Sequence, residues 1–349
     1  MYMQNKRVVA IHDLSGVGRC SLTVIMPILS AMGVQACPVP TAILSTHTGG
    51  FGEVAFQDLT DYLPQALAHY QRLGLDFSCI YSGFLGSEAQ IDHCLAFFKA
   101  YPSALAVVDP VMGDHGKPYR TVTEGMRRRM VELVSIADVI TPNLTEACIL
   151  LGEPYHPMPL TRAQAKSMLA RLSEKGPQKI VITGVSLAEG NMANIGYDQE
   201  HNYYWCVPCD YVPVSYPGTG DIFAAVLTAS FLIGDSLPIA MSRASRFVEI
   251  AIKTTFSYGG DTRFGVMLES AMPFLMQREV PQNFHLYKSF LLSNKRERPR
   301  AVPFCLIYFC SGSSQGIFSD AGCPCSGAAG GGPPTGRAGG CLLYTSRCV

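Results

Sequence analysis

The sequence predicts an α/β protein with three layers, in which helices cover both faces of a mostly parallel central sheet. Short apolar runs alternate along the chain with longer segments whose apolar residues recur at helical spacing. That alternation is typical of consecutive βαβ units, whose strands run parallel. Polar residues directly follow several of the apolar runs, and ligands bind outside the carboxyl ends of the strands in open parallel sheets. We therefore expect one ligand-binding edge.

Each predicted element follows from its local pattern. Short runs rich in Val and Ile predict strands over residues 7–12, 35–39, 77–82, 105–108, 139–140 and 179–183. Helical periodicity predicts helices over residues 21–32, 53–73, 88–100, 122–135, 146–151, 222–233, 238–255 and 264–276. A further helix begins at Thr161, a plausible N-cap with Gln164 three residues on, as in a capping box. Residues 192–197 and 203–207 flank a polar turn and predict a hairpin at the sheet edge.

Composition excludes several classes of partner. The chain of 349 residues carries 27 basic and 27 acidic side chains, so it has no net charge to attract nucleic acid or an anionic membrane. Hydrophobic residues make up 48% of it, yet none of its apolar runs approaches the length that spans a bilayer. We expect a cytoplasmic protein whose partner is a small molecule.

The composition changes abruptly after about residue 290. Residues 295–300 are a charge run, and residues 312–340 are rich in Gly, Ser and Pro without helical or strand periodicity. Six of the 13 cysteines also lie after residue 300. We predict a folded domain over residues 1–289 and a disordered or non-native tail over residues 290–349. The alternative is that residues 290–349 are a natural extension of the protein.

The turn from Gly218 to Asp221 has the outline of a phosphoryl-transfer site. Gly218 and Gly220 let the backbone approach an anion, and the apolar helix that follows turns its free N–H groups and the positive end of its dipole toward the same point. A donor phosphate can lie over Gly218, Thr219 and Gly220 while Asp221 takes the proton from an attacking hydroxyl. A glycine-rich turn capped by an acid is the alternative interpretation.

Other polar residues follow predicted strands. Asp109 follows the run 105–108, whereas Asn143 and Glu146 follow residues 139–140. Asp109 and Glu146 could organise Mg²⁺ through water, and Asn143 could position the same waters. Asn143 and Glu146 could also simply begin a helix, as its N-cap and its third residue. The two interpretations are compatible.

Together these motifs resemble the ribokinase superfamily of small-molecule kinases, and residues 45–52, Ser-Thr-His-Thr-Gly-Gly-Phe-Gly, look like the substrate segment of its pyridoxal kinase branch. The resemblance runs from about Val8 to about Phe274. It implies a ribokinase-like fold, a homodimer, and use of ATP with Mg²⁺, while a requirement for a monovalent cation such as K⁺ stays open. It also implies that Thr183 lies on the phosphate side of the nucleotide and that Tyr119 belongs to a lid over it.

The substrate residues point to two branches of that superfamily. Asp13 and Ser15 could contact the acceptor molecule, or Asp13 could only cap the next helix. The run from Asp13 to Gly16 is similar to the opening of hydroxymethylpyrimidine kinases, whereas pyridoxal kinases usually carry serine at position 13. His47 and Thr48 resemble the pyridoxal kinase segment that lies near the pyridine ring, although a lone histidine is often a structural residue.

The resemblance implies phosphorylation of the 5′-hydroxymethyl group of pyridoxal, pyridoxine or pyridoxamine by MgATP, a reaction of vitamin B6 salvage. In that reaction Asp221 is the general base and the turn before it is the anion hole. A hydroxymethylpyrimidine kinase of thiamine synthesis is the alternative within the superfamily. A non-catalytic protein that binds the vitamer is the alternative from another class.

Overall fold

The computed structural model describes residues 6–155, 159–188 and 192–276, together with the backbone of His285–Tyr287. All of these residues belong to one compact unit, which includes Met1–Ser289. The predicted tail over residues 290–349 lies outside the described residues. Among the described residues, none of the helices combines the length and apolar character needed to cross a bilayer.

The strands of the described part form one large sheet and one small hairpin. In chain order they are β1 (Arg7–Val17), β2 (Gln35–Thr46), β3 (Phe56–Asp58), β4 (Cys79–Ser82), β5 (Leu105–Val108), β6 (Gly113–Asp114), β7 (Lys117–Pro118), β8 (Val139–Ile140), β9 (Lys179–Ser186), β10 (Met192–Asp198), β11 (Tyr203–Cys209) and β12 (His285–Tyr287). The large sheet has the order β12-β11-β10-β9-β8-β5-β4-β1-β2-β3, and β6 pairs only with β7. Its middle, from β2 to β9, is parallel, whereas β3, β10, β11 and β12 run antiparallel to their neighbours.

Helices cover both faces of this sheet. They are α1 (Leu22–Ala31), α2 (Tyr62–Arg72), α3 (Glu88–Ala100), α4 (Glu124–Ser135), α5 (Leu144–Leu151), α6 (Arg162–Ser173), α7 (Thr219–Leu232), α8 (Leu237–Tyr258) and α9 (Leu268–Ala271). Helices α2 to α6 contribute to the core on one face, and α1, α7, α8 and α9 to the core on the other. Strand β1 is buried by both cores, because Val9 faces the first and Val8 the second. The predicted three-layer α/β fold is confirmed.

Two predicted helices are wrong in part. The predicted helix over residues 53–73 begins only at Tyr62, because Phe56–Asp58 form strand β3 and pair with the edge of β2. The predicted helix over residues 264–276 is broken into α9 and short 3₁₀ turns at Thr262–Phe264 and Met272–Phe274. Pro273 lies in the second of these turns, where it has no amide hydrogen to continue an α-helix.

The predicted helix start and hairpin are confirmed. The Thr161 hydroxyl accepts the N–H of Gln164 at 3.3 Å, and the Gln164 side-chain oxygen accepts the N–H of Thr161 at 2.9 Å, which makes a capping box for α6. Strands β10 and β11 form the antiparallel hairpin. The hairpin is not outermost, because β12 pairs with β11 on its outer side.

Candidate active site

Gly218 lets the start of α7 press against the loop after β1. Its φ of +81° lies in the left-handed region, and it is the N-cap residue of α7. A Cβ at this position would lie 2.1 Å from the carbonyl oxygen of Arg19, so the missing side chain faces backbone rather than a ligand. The first N–H groups of α7 have no acceptor four residues earlier in the helix, and they mark its positive end.

Asp221 is buried in the first turn of α7, and its carboxylate accepts a hydrogen bond from a residue near the N-terminus. Its Oδ2 accepts the backbone N–H of Ser21 at 2.7 Å, across 200 residues of sequence. Ser21 has φ 55° and ψ −143°, a backbone region that costs a non-glycine residue about 1–3 kcal/mol. The close approach of Gly218 therefore fixes the loop that orients the Asp221 carboxylate.

His12 contacts the second oxygen of that carboxylate, and the sequence analysis missed it. Its Nε2 lies 3.4 Å from Asp221 Oδ1, and its Nδ1 lies 2.8 Å from Asp13 Oδ1. Burial opposes the charged ring, but hydrogen bonds and charge interactions with Asp13 and Asp221 outweigh it and raise the pKa of His12 from 6.5 to about 10. The missed signal was a polar residue that continues the alternation of Val8 and Ala10 toward the face that α7 covers.

Four predicted substrate residues line one cavity of about 240 Å³, which we call the β1 cavity. Its lining residues are Asp13, Ser15, Leu44, His47, Thr48, Phe56, Phe84 and Thr121. Asp13 lies inside β1 and its carboxylate accepts the Ser15 hydroxyl at 2.9 Å, so the alternative in which Asp13 only caps the next helix is wrong. The cavity combines apolar walls with a buried carboxylate, as small-molecule sites do.

His47 lines the β1 cavity, but both of its ring nitrogens are satisfied by backbone. Its Nδ1 accepts the N–H of Gly49 at 3.0 Å, so its Nε2 carries the proton and donates it to the Arg263 carbonyl oxygen at 2.6 Å. Its ring edge also packs against Phe51. His47 therefore connects the loop after β2 to the segment after α8 through hydrogen bonds. Only its ring surface is left to contact a ligand in the β1 cavity.

A second cavity, of about 420 Å³, lies at the start of α7; we call it the α7 cavity. It is lined by Thr183, Gly184, Met192, Asn194, Cys209, Thr219, Gly220, Phe223, Ser245, Val248 and Glu249. Three of these residues, Thr183, Thr219 and Gly220, are among those that the sequence predicts. Asn194 was missed, although an amide in the apolar strand β10 was a signal: it accepts the N–H of Gly184 at 2.9 Å and donates to Ser245 at 2.8 Å.

Asn143 and Glu146 form the capping box of α5. Asn143 Oδ1 accepts the N–H of Glu146 at 3.0 Å, while Glu146 accepts the N–H of Asn143 at 2.8 Å and that of Met112 at 3.1 Å. Asp109 is buried at the end of β5, on the strand next to β8. Hard carboxylate oxygens from neighbouring strand ends suit Mg²⁺.

Tyr119, the predicted lid residue, packs against the core under α2–α6 and is not among the residues lining either cavity.

Glu146→Gln is expected to lower both stability and activity. Glutamine has one acceptor oxygen, so the N–H of either Met112 or Asn143 would face an amide donor, at a cost of about 1–3 kcal/mol. Thermal melting followed by circular dichroism measures this loss, and a Mg²⁺ titration of the folded variant shows whether the half-saturating concentration rises. Glu124→Gln, at the exposed first turn of α4, is the matched control. If the half-saturating Mg²⁺ concentration matches that of the control, Glu146 does not bind the metal and serves only in the capping box of α5.

The fold and these two cavities define a ribokinase-like protein, and three comparisons agree. The family profile of phosphomethylpyrimidine kinase matches residues 26–265, so the chain belongs to that family. A pyridoxine/pyridoxal/pyridoxamine kinase of Bordetella avium is 30% identical over 267 residues, which cover 71% of this chain and 85% of that one.

Two crystal structures resemble the chain along most of its length. One, from Bacteroides thetaiotaomicron, is provisionally described as a phosphomethylpyrimidine kinase and was obtained with pyridoxal; it is 44% identical, with a TM-score of 0.78 over 81% of this chain and all (100%) of that one. The pyridoxal kinase of Lactobacillus plantarum is 33% identical, with a TM-score of 0.72 over 78% of this chain and 96% of that one.

Proposed function

We propose that the protein transfers the γ-phosphoryl group of ATP to the 5′-hydroxymethyl group of pyridoxal, pyridoxine or pyridoxamine. The observation that carries this proposal is the position of the turn at Gly218–Asp221. Thr219 and Gly220 line the α7 cavity, while Asp221 is joined through His12 to Asp13 of the β1 cavity. The turn thus lines one cavity and contacts, through His12, a residue that lines the other. The Bacteroides structure with pyridoxal supports this choice of acceptor.

The arrangement supports direct transfer without a covalent enzyme intermediate. The vitamer binds in the β1 cavity and ATP in the α7 cavity, with its phosphates over the N–H groups of Gly218, Thr219 and Gly220. Asp221 accepts the hydroxyl proton as the oxygen attacks the γ-phosphorus in line. The fixed N–H dipoles stabilise the charge that develops on the transferring group, and the burial of the site strengthens that interaction. Thr183 lines the α7 cavity and is proposed to lie on the phosphate side of the nucleotide.

The nucleotide is proposed to bind with Mg²⁺ near Asp109 and Glu146. These two carboxylates would hold the metal through water, and the metal would neutralise part of the charge of the phosphates. Glu146 would keep its two backbone hydrogen bonds in that arrangement, since each carboxylate oxygen has a second lone pair. A monovalent cation such as K⁺ is a further candidate from the superfamily resemblance, and omitting it from the assay buffer tests it.

A panel assay tests the proposed function. The purified chain is incubated with MgATP and, separately, pyridoxal, pyridoxine, pyridoxamine and hydroxymethylpyrimidine, and the phosphorylated products are identified by mass spectrometry. We expect the B6 vitamers to be turned over with the higher kcat/KM. A higher kcat/KM for hydroxymethylpyrimidine would favour the thiamine-pathway kinase instead. Vitamer binding without ATP consumption would favour the non-catalytic binding protein.

Residues 1–289 are proposed to be the kinase domain and to form a homodimer without the tail. Apolar side chains stand exposed near the β1 cavity, Val17 at the end of β1 and Phe56 at its rim, where a second subunit could cover them. A chain ending at residue 289 is expected to keep the melting temperature and turnover of the full chain. Analytical ultracentrifugation of this shortened chain is expected to give twice its monomer mass. A large loss of stability would show that the tail packs on the domain, and a monomer mass would contradict the dimer.

A further inference from the structure

Glu249 is a buried carboxylate in the wall of the α7 cavity, and the sequence analysis missed it. It belongs to α8, which packs against α7, and it is only 8% exposed. Its Oε1 accepts the backbone N–H of Asp210 at 2.8 Å, whereas its Oε2 receives no hydrogen bond from the residues that the structure describes. A buried carboxylate is costly unless its oxygens are hydrogen-bonded. The α7 cavity therefore offers a ligand one buried acceptor.

Neighbouring polar groups in the same wall are already engaged by the protein. Asn194 accepts the N–H of Gly184 at 2.9 Å and donates to Ser245 at 2.8 Å. The Cys209 thiol donates to the Val207 carbonyl oxygen at 3.6 Å, and burial raises its pKa to about 12, so it stays neutral. Glu249 thus differs from Asn194 and Cys209 in keeping an oxygen for a ligand.

We propose that Glu249 binds the ribose of the nucleotide, with its Oε2 accepting hydrogen bonds from the 2′- and 3′-hydroxyl groups. This inference rests on the proposed function, because it requires ATP in the α7 cavity. In that proposal the phosphates lie over the turn at Gly218–Gly220, and the ribose is the group of ATP that follows the phosphates. Thr219, Gly220 and Glu249 line the same cavity, so one bound nucleotide can contact all three.

The chemistry of the wall favours the sugar over the base as the partner of Glu249. The two ribose hydroxyls each offer an O–H donor, and a carboxylate oxygen accepts with two lone pairs. An acidic side chain holds the ribose in dinucleotide-binding folds in the same way. Met192, Phe223 and Val248 give the cavity apolar walls, which suit the faces of the base. Burial raises the pKa of Glu249, and hydrogen bonds from the ribose to the ionised form would oppose that rise.

Deoxynucleotides test the contact in the unmodified protein. In 2′-deoxy-ATP and in 3′-deoxy-ATP one of the two donors is missing, and the rest of the nucleotide is unchanged. We expect at least one of them to bind with a Kd about 10-fold higher than that of ATP, which is the usual effect of losing a hydrogen bond to a charged group. Calorimetric titration in the presence of Mg²⁺ measures the three constants. Equal Kd values for the three nucleotides would overturn the proposal, and this result needs no variant.

Glu249→Gln tests the residue itself. The amide oxygen can accept the N–H of Asp210, so the NH₂ group is left on the side of the ligand, where it cannot accept a hydroxyl proton. We expect the Kd for ATP to rise about 10-fold, to the value for the deoxynucleotide, and the difference between the two nucleotides to disappear. Glu174→Gln, at the exposed C-terminal end of α6, is the matched control and should keep that difference. A difference retained by folded Glu249→Gln would contradict the assignment.

Inosine triphosphate separates a contact with the sugar from one with the base, because it carries an oxygen where ATP has the amino group of adenine. If Glu249→Gln changes the preference for ATP over inosine triphosphate but not the preference over the deoxynucleotides, the carboxylate contacts the base and the proposal is wrong. If the unmodified protein phosphorylates vitamers without discriminating against either deoxynucleotide, the proposed function stands and this inference fails. If the unmodified protein binds no ATP, the proposed function fails, and this inference fails with it.

Discussion

Asp221→Asn is expected to lose turnover by on the order of a hundredfold or more while it still binds ATP and pyridoxal. Asparagine nearly matches the shape of aspartate, but it cannot accept the hydroxyl proton. Its oxygen can still accept the N–H of Ser21, which donates to Oδ2 at 2.7 Å in the native site. Single-turnover kinetics measure the chemical step, and calorimetric titration measures the binding of each ligand.

The control for Asp221→Asn is the same replacement at Asp61, an exposed residue before α2 whose side chain makes no cap hydrogen bond. Asp61→Asn should leave kcat unchanged. Near-normal turnover by Asp221→Asn, in a preparation free of host kinase, would show that Asp221 is not the base. Loss of ligand binding together with a collapsed melting transition would mean instead that the carboxylate is needed to hold the buried cluster with His12.

Gly218→Ala is expected to cost several kcal/mol of stability and to lower turnover as well. A left-handed φ costs a non-glycine residue about 1–2 kcal/mol, and a buried clash typically adds about 1–3 kcal/mol. Both apply here, because φ is +81° and the new Cβ would lie 2.1 Å from the Arg19 carbonyl oxygen. The loop would have to move, and it carries the Ser21 N–H that orients Asp221. Chemical denaturation and steady-state kinetics measure the two effects.

Gly234, just beyond the other end of α7, provides the matched control for Gly218. It also has a left-handed φ, +98°, but a Cβ there would meet nothing within 4 Å. Gly234→Ala should therefore show the backbone strain without the clash, and it should leave kcat unchanged. Equal destabilisation of the two variants would mean that the approach of Arg19 to the turn is not needed for stability.

Strongly patterned elements were predictable from the sequence, and weakly patterned ones were not. The predicted bounds of α3 and β5 are those of the structure, because a serine cap starts α3 and an apolar run of four residues makes β5. Strand β3 has three exposed residues and no periodicity, so only its pairing with β2 makes it a strand. Strand β1 also runs on to Val17, well past its predicted end, because β2 pairs with it beyond the apolar run.

In the candidate site, too, residues in local sequence motifs were predictable, and contacts between distant residues were not. Asp13, Ser15, His47 and Thr48 stand in recognisable motifs, and the structure brings them into one cavity. The contact of His12 with Asp221, by contrast, joins residues far apart in sequence, and no local spacing encodes it. The backbone interactions of His47 were equally invisible, since its partner Arg263 lies 216 residues away.

The distance in sequence between β1 and α7 has a consequence for biosynthesis. The ribosome makes β1 early, but α7 and Asp221, which contact β1 and the loop after it, emerge some 200 positions later, as the Ser21–Asp221 hydrogen bond shows. Until α7 leaves the exit tunnel, the face of β1 that carries Val8 and Ala10 lacks the helix that packs against it in the folded protein. An interrupted translation product that ends before α7 would therefore lack a large part of the core on this face of the sheet, together with Asp221, the proposed base.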